Sequence, residues 1–77
     1  MYRYAQPMLK LTTFPINDAT GIAIRRNSHL LLSSTEVEEV AQRLADLGVK
    51  NPLPLVMAAV QHGAIEIHAE GRPTTED

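Results

Sequence analysis

Cysteine is absent from this chain, so neither a disulfide framework nor a thiolate metal centre can brace it. Tryptophan is absent too, and two Tyr and one Phe make up all the aromatics. An excess of one charge is also missing: seven Lys and Arg stand against nine Asp and Glu, a net −2. That balance is too even for an acidic DNA mimic, and it supplies too little positive charge for a general nucleic-acid binder. No apolar run nears the roughly 20 residues that cross a bilayer. The opening "MYRYAQPMLKLTT" has neither an apolar h-region nor a small-residue cleavage site, so a soluble, cytoplasmic protein is the expectation.

What is present fits one small domain spanning residues 1–77, with 1–6 as an arm or edge strand and 71–77 as a frayed tail. A chain this short buries only roughly 60–65% of its unfolded surface, which leaves packing quality and self-association as its means of stabilisation. "MLKLTTF" (8–14) alternates in the manner of a strand, "PINDATG" (15–21) has turn composition, and "IAIRR" (22–26) alternates again. Asn27-Ser28 then predicts a tight hairpin into a third strand, "HLLLS".

The segment "SSTEVEEVAQRLADLG" predicts an amphipathic helix. Val37, Val40, Ala41, Leu44 and Leu47 form one stripe, and Ser33 with Glu36 matches a capping box. A second helix is expected over "PLPLVMAAVQH", capped by Asn51, opened by Pro52 and closed by Gly63. "AIEIHAE" (64–70) then alternates as a half-buried strand. The expected fold class is therefore α+β, in the order β-β-β-α-α-β: a three- to four-stranded, mainly antiparallel sheet with two helices on one face.

No residue between Pro52 and Gln61 carries a charge. At 100° per residue, Leu53, Val56, Met57 and Val60 make a stripe that can pack on the sheet. The opposite side offers Leu55, Ala58, Ala59 and His62, and Leu55, Ala59 and His62 are the candidates for self-association into a homodimer.

Residues 35–65 resemble the winged-helix module of MerR-like regulators and phage excisionases through "EEVA" (38–41), "LGV" (47–49) and "HGAI" (62–65). The match covers less than half the chain, and its spacing is longer than the family's. It implies a small dimeric DNA-binding regulator, but base reading needs Arg, Lys, Asn, Gln or Ser where this helix is aliphatic.

Catalytic, cofactor and metal constellations are not evident. Ser33 is explained as a cap and has no nucleophile-elbow glycines, and Glu36, Glu38 and Glu39 suit the positive end of a helix. His29, His62 and His68 lack metal-ligand spacing, and "NDATG" is too short for a phosphate loop. Two surface groups remain as candidate protein-binding residues: Tyr2, Arg3 and Tyr4 at the start, and Arg25, Arg26 and His29 at the expected hairpin. In size and style the chain looks like the compact proteins that phages and other mobile elements encode. The expectation is a non-enzymatic protein-interaction module, binding an unidentified host protein and acting by occupying its surface.

Overall fold

The computed structural model describes residues 9–16, 18–26, 30–69 and 71–75. Tyr2, Arg3, Tyr4 and His29, with the Asn27-Ser28 turn, lie outside the described residues. Strands β1 (Lys10–Ile16) and β2 (Ala19–Arg25) form an antiparallel hairpin. Asp18 closes it at φ 70°, a left-handed conformation that Asp tolerates better than most residues. Helices α1 (Ser34–Asp46) and α2 (Pro52–His62) follow, then β3 (Ala64–His68) and β4 (Pro73–Thr75). The sheet order is β1-β2-β3-β4 with every neighbouring pair antiparallel, so the helical pair is an insertion between the two central strands.

The class is α+β as expected, with two helices against one antiparallel sheet, but one of the four strands lies elsewhere in the chain. Leu30–Ser33 belongs to no strand. Its leucines alternate as expected, with Leu30 buried, Leu31 67% exposed and Leu32 at the core margin, but the segment pairs with no strand. The Leu31 carbonyl accepts a hydrogen bond from the Arg26 guanidinium at 2.9 Å, which occupies it with a side chain in place of a ladder partner. The fourth strand instead comes from the expected frayed tail. Gly71, at φ 97°, turns the chain; its N–H donates to the His68 carbonyl at 2.9 Å, and the His68 N–H donates to Arg72 at 3.3 Å. Pro73 is tolerated because β4 is an edge strand, and Pro15 is tolerated in β1, the other edge, for the same reason.

Ile22 and Ile24 of β2 and Ile67 of β3 point to the helices and join Val40, Leu44 and Val56 as fully buried side chains. Each such burial is worth roughly 1.5–3 kcal/mol. β3 departs from simple alternation because a bulge lies between Ala64 and Glu66. The extra residue puts Ala64 and Ile67, three apart, on the buried side and leaves Ile65 half-buried.

Helix α1 starts as its sequence predicts. The Ser33 hydroxyl accepts from the Glu36 N–H at 3.3 Å, and the Ser33 N–H donates to the Glu36 carboxylate at 2.9 Å. The other carboxylate oxygen of Glu36 takes the Arg26 guanidinium at 2.5 Å, so one glutamate ties the helix start to the end of β2. The Ser33 N–H is the largest cause holding the Glu36 carboxyl below the usual glutamate range; burial opposes it, and Arg26 adds to the lowering. Helix α2 differs at its start: Asn51 makes no side-chain cap and instead turns into α2 at φ 51°, while Pro52 needs no donor partner.

Replacing Ser33 by Ala is expected to cost about 1 kcal/mol, or about 4–8 °C in melting temperature for a domain of this size. A depressed carboxyl pKa stabilises the fold fully above the ordinary glutamate value of about 4.3 and loses that contribution as pH falls through the lower folded-state value. Glu36→Gln should therefore melt below the parent at neutral pH, with the difference closing in acid. Melts across a pH series check both variants.

Candidate functional site

Helix α2 can turn only one side to the sheet, and its apolar sequence leaves that choice open. The structure chooses Val56 and Ala59, which are 0% and 1% exposed, with Leu55 and Val60 packed at the core margin. Leu53 and Met57, expected to face the sheet, are 48% and 58% exposed. A small side chain such as Ala59 suits a closely packed inward position better than the longer Met57 does.

The rotation also corrects the expected self-association residues. Ala59 is buried within the single chain and Leu55 packs against its core, so neither forms an outward stripe. His62 alone of the three is exposed, at the end of α2. The arginine pair is likewise split. Arg26 is engaged internally with Glu36 and Leu31, its Nε having no partner among the described residues, whereas Arg25 is exposed and paired in register with Lys10.

An open groove of about 780 Å³ lies between the start of α1 and the stretch of α2 from Pro54 to Gln61. Its apolar walls are Leu32, Val37, Pro54, Met57, Ala58 and Val60. Ser34 and Gln61 are the polar residues that line it, and among the described residues no charged side chain does so. A shallower depression of about 300 Å³ lies towards the other end of the pair, where Ala41 and Ala45 of α1 meet Pro52 and Leu53, with Glu38 and Gln42 at its margin. Small side chains on α1 and large ones on α2 thus give this surface both hollows and projections. Sequence reasoning missed Leu53 and Met57 as surface residues, and the one available signal was their i, i+4 spacing on a helix with no polar side.

The opposite sheet face holds the other cluster. Phe14 lies over Gly21, and its ring meets His68 edge-on, with centroids 6.1 Å apart at 84°. His68 Nε2 is 3.0 Å from the Thr74 hydroxyl and 3.9 Å from the Glu66 carboxylate. Both oxygens address the same ring nitrogen, so the arrangement is not a hydroxyl–imidazole–carboxylate relay, in which the carboxylate holds the far nitrogen. Among the described residues no three His, Cys, Asp or Glu side chains converge as metal ligands. The cluster reads as a cross-strand lock joining β1, β2, β3 and β4.

Comparison with protein-family models, with curated proteins and with solved structures gives no match for this chain. The functional reading therefore rests on the two surfaces themselves.

The lock is testable at Gly21. A Cβ there would lie 2.8 Å from the Phe14 ring and 3.0 Å from the Ile67 carbonyl oxygen. Gly21→Ala should destabilise by about 1–3 kcal/mol through overpacking. Phe14→Leu in the same chain should recover part of that loss, because the ring can be removed while the Ile67 backbone cannot, and a double-mutant cycle in urea measures the recovery.

Proposed function

We propose that this chain is a small non-enzymatic protein-interaction module, of the kind that phages and other mobile elements use to bind and modulate a host protein. The observation that carries the reading is the outward side of the helical pair. Leu53 and Met57 stand in solvent beside an apolar groove in a domain too small to expose aliphatic surface at no cost. Occupancy of that groove by another protein would remove this surface from water, and Met is a side chain that adapts to the shape of what it meets.

The alternative of DNA reading receives less support. The exposed side of α2 is led by Leu53, Pro54 and Met57, with Gln61 and His62 polar only in its last turn, and its other side is committed to the core. The expected arginine patch is also weakened as a binding site, because Arg26 is held inside the fold.

Photocrosslinking in the native host tests the reading. A benzophenone amino acid at position 57 should give a discrete heavier species containing a second protein. The same group at Arg43, exposed on α1 away from the groove, should not. Equal labelling from both positions, or none from position 57, contradicts the proposal.

A further inference from the structure

We infer that Met57 is a modification site: its thioether takes an oxygen atom from a peroxide, and the resulting sulfoxide reversibly closes the apolar groove to a protein partner. The inference rests on the interaction-module reading and adds a means of regulating it.

The sulfur inventory directs the chemistry to this residue. The chain has three methionines and no cysteine, so no thiolate competes for a peroxide. Met1 and Met8 lie outside the described residues, and Met57 is 58% exposed on the groove wall. In the step, the sulfur attacks one peroxide oxygen and gives up two electrons. The S–O bond forms as the O–O bond breaks, and the second oxygen takes the proton of the first and leaves as water.

Placement confines the effect to the surface. In this turn of α2 the core contacts belong to Val56 and Ala59, 0% and 1% exposed, so the fold does not require Met57 to stay apolar. The new oxygen is an acceptor that water can reach. The exposed amide of Gln61 also stands one helical turn on, at the i, i+4 spacing where side chains meet. For a partner the change is large. Among the described residues only Ser34 and Gln61 interrupt the apolar lining, and a sulfoxide sets a strong dipole beside Pro54 and Val60 that an apolar partner must desolvate. Methionine sulfoxide reductases remove the oxygen, which makes the change a switch.

The test uses the full chain with a benzophenone amino acid at position 54, which lines the same groove. The purified chain is treated with hydrogen peroxide, quenched, and irradiated in an extract of the native host, with peptide mass mapping and melting in parallel. Met57 should gain one oxygen at a rate within about tenfold of that in the urea-unfolded chain. The melting temperature should move by less than about 4 °C, the range of a surface substitution. Capture of the second protein should fall by about tenfold or more, and reductase treatment should restore it. Met57→Leu should give equal capture before and after peroxide. Met57→Gln, a polar stand-in for the sulfoxide, should capture as little as the oxidised parent.

Slower oxidation than that, capture that peroxide leaves unchanged, a Met57→Leu chain as peroxide-sensitive as the parent, or full capture by Met57→Gln overturns the inference. A larger fall in melting temperature overturns it too, because lost capture would then report unfolding. Each of these results leaves the interaction-module reading standing while the untreated chain still crosslinks a second protein. Absence of that species from the untreated chain removes the reading and the switch together.

Discussion

Helix α2 must be apolar where it meets the sheet, yet it is apolar all the way round, and one layer of sheet with one neighbouring helix cannot cover every side of it. The rest of the structure follows from how that mismatch is resolved. Val56 and Ala59 take the inward position and Leu55 and Val60 flank them, so Leu53 and Met57 are left facing water. A larger protein would add a layer over this side. Among the described residues no such layer lies over Leu53 and Met57, and this side of the surface is the hydrophobic one.

The helical pair holds its place because it is anchored at both ends to the centre of the sheet. At the entry, Glu36 receives the Ser33 N–H and the Arg26 guanidinium together, binding the helix start to the strand before it. At the exit, Gly63 at φ 69° lets α2 pass directly into β3, whose Ile67 pairs in register with Ile22. The far face of the sheet is closed separately, by Phe14 over Gly21 and His68 against Thr74.

The parts that were legible in sequence are those governed by local rules. The Ser33–Glu36 box and the Val37–Leu47 stripe specify α1, and Pro52 and Gly63 bound α2, because capping and periodicity act within a few residues. The facing of α2 was not legible: with no polar side, periodicity cannot select an inward direction, and the choice falls to packing between segments distant in sequence. The third strand was misplaced because the diversion of Leu31 depends on Arg26, and the fourth was missed because its hairpin needs the Gly71 turn and a bulged β3. The candidate site inherits these limits. Arg25 and Arg26 looked like one patch in sequence, but they take different roles as soon as Arg26 finds Glu36.

The most direct measurement is the urea unfolding free energy of Leu53→Gln/Met57→Gln against the parent chain. Gln has nearly the helix propensity of Leu and Met, so the pair reports on packing alone. The account predicts a change within about 0.5 kcal/mol, as for surface substitutions. A loss of about 2 kcal/mol or more is the signature of a vacated core. That result would mean these side chains serve the fold and are not held out for a partner.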